Sequence, residues 1–256
     1  MVRSLFSNRR FKASGLHLLA SIALAALVSA LVFGIWYPAP YAAVAGGTSL
    51  FFLLVSVDVV MGPALTAVIA GPSKPLHEFR RDFALIVVLQ LAALGYGLYT
   101  MAMARPVYLA FEVDRMRVVV AADVEPASLA EAPPALRQLP WFGPGLIAAV
   151  KPSDPAEQLK SVDLGLAGVD LSMVPRNWRD YTSQAPLVWA TAKPVDKLLA
   201  RYPAIASQVA ALAAASGQSP QALRYLPLMS RQASWVTLLA EPGARVVGHL
   251  PVDGFF

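Results

Sequence analysis

The chain has 256 residues, 57% apolar and 14% charged, with a mean hydropathy of +0.55. Ordinary globular domains sit near about 45–50% apolar and about 25% charged, so the composition points to an integral membrane protein. The absence of cysteine excludes disulfides, thiol nucleophiles, zinc–thiolate sites and a thiol-redox relay. The net charge of +5 is set by where the bases lie. Arg3, Arg9, Arg10 and Lys12 precede the first apolar run, and Lys74, Arg80 and Arg81 lie between the second and third. Bases that flank apolar runs mark topology rather than a phosphate-binding face, so no nucleic-acid partner is expected.

A bilayer core about 30 Å thick takes roughly 20 apolar residues of helix. Three segments reach that length: Gly15–Trp36, Thr48–Ala70 and Phe83–Ala104. The first begins after a basic stretch, as a signal peptide does. It is too long for a signal-peptide core and closes on Trp36-Tyr37-Pro38, an interface aromatic pair followed by a helix stop, so an uncleaved span is expected. The basic tail keeps the N-terminus cytoplasmic. The uncharged loop Tyr37–Gly47 crosses, the basic loop Gly71–Asp82 returns, and everything after Arg105 is delivered to the far side. The expectation is a three-helix membrane domain over residues 1–105 and an α+β domain over 106–256. In a bacterium this is a multi-pass inner (cytoplasmic) membrane protein with a periplasmic C-terminal domain.

Within the second span, Val55–Thr66 reads VSVDVVMGPALT. An ionised aspartate at the centre of a span costs at least about 2.5–3.5 kcal/mol on insertion scales, so Asp58 needs protonation or a partner. Asp58, Gly62 and Thr66 fall at i, i+4 and i+8 on one face. Gly62 admits a second backbone closely. Pro63 has no N–H, which frees the Val59 carbonyl of an α-helix and kinks the chain. His17 and Ser21 stack on the first span, and Gln90 lies on the third at the depth of Asp58. Three readings of Asp58 stand side by side: a structural tie between helices, a docking point for a partner's helix, and an ion or proton path.

After Pro106, PVYLAFEVD and RMRVVVAADV read as two strands with a turn at Asp114-Arg115, and LIAAVKP as a third. Glu125–Leu139 is Pro-rich and only partly helical. Asp154 caps a helix running to about Gly165. VPRNWRDYTSQAP reads as irregular. Helices follow over Pro194–Arg201 and Pro203–Ser216, the latter closed by Gly217. Three strand-like runs, RYLPLMS, SWVTLLAE and ARVVGHLPVD, finish the chain, the last two joined at Glu241-Pro242-Gly243. Trp141, Trp178, Trp189 and Trp235 are either buried core or a binding surface.

No nucleophile elbow, phosphate loop or metalloprotease motif is present, and the three histidines, His17, His77 and His249, lie far apart. Catalysis, a metal and a cofactor are not expected.

Several blocks, in order, carry a family likeness: FKASGLHLL (11–19), WYPAPY (36–41), VDVVMGPALT (57–66), RRDFALIVVLQLAALGYGLYT (80–100) and RPVYLAF (105–111). RYLPL and the terminal GHLPVDGF match more loosely. The chain resembles the type IV pilin accessory proteins, the TfpX/TfpZ group and related fimbrial accessory proteins. The resemblance implies a chaperone-like role. Such a protein stabilises the major pilin in the inner membrane and promotes its assembly into type IV pili, supporting twitching motility. Its partners would be the type IV major pilin and the lipid bilayer, and contact with the pilus assembly platform is compatible with it. It brings no catalytic residues. The polar membrane positions that would map onto the family are His17, Asp58, Thr66, Asp82 and Gln90. The face proposed from the residues to bind the pilin helix comprises His17, Asp58, Gly62, Pro63, Thr66 and Gln90. The rival classes are a small carrier or ion-conducting subunit that uses Asp58, and a membrane-anchored sensor with a periplasmic ligand domain.

Overall fold

The computed structural model describes residues 8–71, 74–230 and 234–256. Arg3, used above to orient the chain, lies outside the described residues. By their internal contacts the residues form two compact units: Met1–Ala42 with Gly46–Met103, and Ala43–Ala45 with Ala104–Phe256.

The first unit is helical. α1 (Asn8–Leu31) passes without a break into a π turn over Val32–Trp36. A short helix, α2 (Tyr41–Val44), leads to α3 (Gly47–Ser56). A second π turn (Val57–Met61) and α4 (Gly62–Ile69) complete the second span, and α5 (Leu76–Ala104) forms the third. Phe11–Trp36, Gly47–Ile69 and Leu76–Ala104 are each long and apolar enough to cross a membrane. Only 17%, 17% and 11% of their most apolar windows are buried against the protein, so their apolar side chains face outward, as lipid requires. The protein is membrane-anchored. The first and third helices begin several residues before the apolar runs, because polar residues at a span's end continue the same hydrogen-bonded helix.

Two junctions hold these helices at close range. Tyr37, expected as an interface aromatic, is fully buried. Its ring covers Gly47, where a Cβ would lie 2.4 Å from the ring. Its hydroxyl donates to the Met101 carbonyl at 3.0 Å, in the last turn of α5. Farther along, a Cβ at Gly97 would lie 2.1 Å from Leu54 Cδ1, so α5 and α3 approach closely there.

The second unit is a mixed helix–sheet domain. Its strands are β1 (Pro106–Glu112), β2 (Arg115–Val120), β3 (Gly145–Ala149), β4 (Trp178–Asp180), β5 (Lys193–Pro194), β6 (Arg224–Met229), β7 (Ser234–Ala240) and β8 (Arg245–Leu250). They form one sheet in the order β4-β3-β1-β2-β6-β7-β8, with β5 added to β6. β1 lies inside the sheet, is buried along its whole length and reads as a continuous apolar run. It pairs antiparallel with β2 and parallel with β3, with Tyr108 opposite Gly145 and Glu112 opposite Ala149. The β1–β2 turn falls at Val113–Asp114, one residue before its expected place, with Val113 at φ 56°.

Four helices complete the domain: α6 (Pro155–Leu166), α7 (Tyr181–Thr191), α8 (Val195–Arg201) and α9 (Ala206–Ser216). The Asp154 carboxylate accepts from the Glu157 N–H at 3.0 Å, the expected cap. Gly217, at φ 72°, ends α9. One core forms around Val107, Tyr108, Ala110, Val119, Ile147 and Trp178. A second forms around Val195, Leu198, Val209, Tyr225, Val236 and Leu238. Trp178 is fully buried; its Nε1–H donates to the Ser172 carbonyl at 2.8 Å and its ring meets Tyr108 edge-on. VPRNWRDYTSQAP, read as irregular, contains β4 and the start of α7. Asp180 caps α7 by accepting from the Ser183 N–H at 3.1 Å, a short strand and cap that no apolar period announces.

Candidate functional site in the membrane unit

Ser14, His17 and Gln90 of the first and third spans meet the second span at the π turn and the start of α4. Proline's missing N–H frees a carbonyl, and the helix type decides which one. In a π turn the carbonyl of residue i accepts from the N–H of residue i+5. For Asp58 that residue is Pro63, which has none. The Asp58 carbonyl is therefore freed, a residue before the Val59 carbonyl that an α-helix would free. Gln90 Nε2 donates to it at 3.2 Å. The wider turn also keeps Asp58 and Gly62 directed inward.

Gly62 makes the Gln90 contact possible. A Cβ there would lie 2.3 Å from Gln90 Nε2, so the amide rests in the glycine notch. Gly62, Pro63 and Thr66 are all buried. The Ser14 hydroxyl donates to the Pro63 carbonyl at 2.9 Å, and one turn on, His17 Nδ1 lies 2.6 Å from Thr66 Oγ1. The His17 ring also meets Phe83 edge-on, with centroids 5.5 Å apart. At the start of α5, Asp82 is bound by Lys74 and by Arg81 at 3.3 Å.

The six residues assigned to a partner-binding face therefore divide. Gly62, Pro63 and Thr66 are occupied by the protein's own first and third spans. His17, Asp58 and Gln90 line a cleft of about 470 Å³ between α1 and α5, floored by Val55 and Asp58 of the second span. Its walls are otherwise apolar, with Leu24 and Val28 on α1 and Phe83, Val87 and Leu91 on α5. Ser21 is the remaining polar lining residue. Gln90 contacts Asp58 through the main chain, with the carboxyl standing beside the amide. Asp58 Oδ1 and Gln90 Oε1 are shielded acceptors with no hydrogen-bond partner among the described residues. The apolar lining residues carry no distinguishing signal in the sequence, because inward and lipid-facing positions of a span share one composition. The small residues Ala13, Ala20, Ser21 and Ala25, which leave room on the cleft side of α1, are the only trace of it.

This chain is similar to known proteins over most of its length. The fimbrial assembly protein of Dichelobacter nodosus serogroup I is 36% identical over 247 residues, 95% of each chain. The chain belongs to the fimbrial assembly protein family. The serogroup E1 fimbrial assembly protein of the same organism is 34% identical over 247 residues, again 95% of each chain. The protein of serogroups C1 and C2 is 44% identical over 113 residues, 44% of this chain and 86% of that relative. A family model described as fimbrial assembly protein FimB matches residues 6–46, which include α1 with Ser14, His17 and Ser21. No solved structure matches the chain. Membership in this family supports a role in fimbrial assembly.

Proposed function

We propose that this protein is a chaperone-like accessory factor of the inner membrane that holds the type IV major pilin before assembly and promotes its incorporation into pili, thereby supporting twitching motility. In this reading it is an assembly factor rather than an enzyme. The N-terminus is cytoplasmic and the domain after Arg105 is periplasmic, where it meets the pilin head.

The observation that carries the reading is the cleft between α1 and α5, apolar along its walls and holding Asp58 Oδ1 without a donor. An unsatisfied polar group in hydrocarbon costs several kcal/mol. The cleft therefore favours an occupant that is an apolar helix bearing a hydrogen-bond donor. A pilin subunit anchored by a membrane helix is such an occupant, and its place in the reading rests on the fimbrial assembly family.

Photo-crosslinking in native membranes tests this. A photoreactive residue at Leu24 or Leu91, in the cleft, should capture pilin. The same probe at Leu27, on α1 but exposed outside the cleft, should not. A deletion strain should lose pilin protein while keeping its transcript. Unchanged pilin with no cleft-specific crosslink would overturn the proposal.

A further inference from the structure

The loop PWFGP (140–144) takes no part in the membrane cleft. It presents Trp141 at 59% exposure and Phe142 at 79%, two large aromatic rings side by side on the surface of the second unit. Prolines flank the pair, and Gly143 takes φ 55° to close the turn. The base of the loop is tied to β1: the Tyr108 hydroxyl donates to the Gln138 carbonyl at 3.4 Å, and the Tyr108 ring lies against Gly145.

One contact ties this loop to the residue that follows the third span. The third apolar helix ends at Ala104, and Arg105 is the next residue. The Arg105 guanidinium lies over the Trp141 ring, 4.5 Å from its centroid, so the loop adjoins the residue that follows the span. A residue that directly follows a span sits at headgroup depth. Tryptophan belongs there, with an apolar body and an N–H.

We infer that Trp141 and Phe142 form a membrane-seating loop, inserting their rings at the headgroup–acyl boundary of the leaflet where the third span ends. The buried Arg105 guanidinium holds the Trp141 ring on one face. The occupant is the bilayer because the loop continues the interface at which α5 leaves it. The loop gives the domain a second point of attachment besides the covalent link. Two attachments restrict rotation about that link.

The natural chain lacks cysteine, so Phe142→Cys and, separately, Trp141→Cys each give a single labelling position. Asp114→Cys, in the exposed β1–β2 turn, is the reference. Each full-length variant is labelled with an environment-sensitive fluorophore and placed in vesicles of phosphatidylethanolamine and phosphatidylglycerol. Lipid spin-labelled near the top of the acyl chain should quench the label at 142 or 141 several-fold more than the label at 114. Iodide in the buffer should do the reverse. Iodide quenching at 142 and 141 as strong as at 114 would overturn the inference. So would equal lipid quenching at all three, which marks the dye's own partitioning, or shielding that appears only at high protein-to-lipid ratio, which marks contact between copies. No pilin is present in this experiment, so its outcome is independent of the proposed function.

Discussion

Gln90 Nε2 donates to the main-chain carbonyl of Asp58 at 3.2 Å, supplying the donor that Pro63 lacks. A proline inside a span normally leaves its freed carbonyl to water, a hydroxyl or a neighbouring helix. Here the neighbouring helix provides a side-chain amide from 32 residues away in sequence. Gln90→Leu keeps the volume and removes the donor. Hydrogen bonds between membrane helices are worth about 0.6 kcal/mol on average and about 1.7 at most. Unfolding of the full chain in mild detergent should show a loss in that range. An unchanged midpoint would mean that the freed carbonyl finds another donor.

Gly62 and Gly97 both lie at close helix contacts, and they should respond differently to alanine. At Gly62 the new Cβ meets the Gln90 amide, whose Nε2, Cδ and Oε1 all lie within 2.9 Å of it. Relief there breaks the bond to Asp58. At Gly97 the first obstacle is the tip of Leu54, with Cγ farther off at 3.1 Å, and a rotamer change can clear it. Overpacking typically costs about 1–3 kcal/mol. Gly62→Ala should fall at the upper end and Gly97→Ala at or below the lower end. Equal losses would show that helix separation, rather than the Gln90 contact, sets the cost.

His17 and Thr66 join the first two spans through a buried contact of 2.6 Å. A cycle of His17→Ala, Thr66→Val and the double variant isolates this pair from the ring contact that His17 also makes with Phe83. The coupling should be positive and near about 0.6 kcal/mol. His17→Ala should cost more than Thr66→Val, because it also removes the ring packing. Zero coupling would assign the contact to proximity alone.

Much of the architecture is legible in the sequence, and its legibility follows physical period. The spans announce themselves because lipid demands an unbroken apolar helix. The runs giving β1, β2, β3, β6, β7 and β8 stand out through β-branched and aromatic residues between turn signals. β4 and α7 do not, since three residues including Arg179 and Asp180 make a poor strand signal and Pro186 lies inside the helix. Asp58, Gly62, Pro63 and Gln90 are visible as polar or helix-breaking residues where lipid disfavours them. Their geometry is not visible, because an α period points to the Val59 carbonyl and only the π turn frees that of Asp58. Trp178 and Trp141 share one residue type, yet one is buried and the other exposed. Composition cannot separate them: Trp178 lies on β4 opposite Ala149 of β3, and Trp141 lies in the loop before β3.

The second unit should carry its own acid sensitivity through His249. Its ring faces Thr237 across the β7–β8 pair, with Thr237 Oγ1 3.0 Å from Nδ1. Burial pushes the imidazole down to about 4 from an ordinary 6.5. The folded protein therefore holds His249 neutral where the unfolded chain protonates it. Between pH 6.5 and about 4 the unfolded state binds more protons, so stability falls as pH falls through this window and levels off below it. A shift of this size corresponds to a loss on the order of 3 kcal/mol across the window. Asp180 acts in a separate, lower window. The Thr182 hydroxyl and the Ser183 N–H hold its carboxyl below the ordinary 3.8, so its contribution is lost only as pH drops beneath that value. Chemical denaturation of the full chain in detergent, repeated from pH 7 to pH 4, should show a falling midpoint for the natural protein. His249→Asn should flatten that slope. A slope that survives the substitution would place the acid sensitivity on the carboxylates.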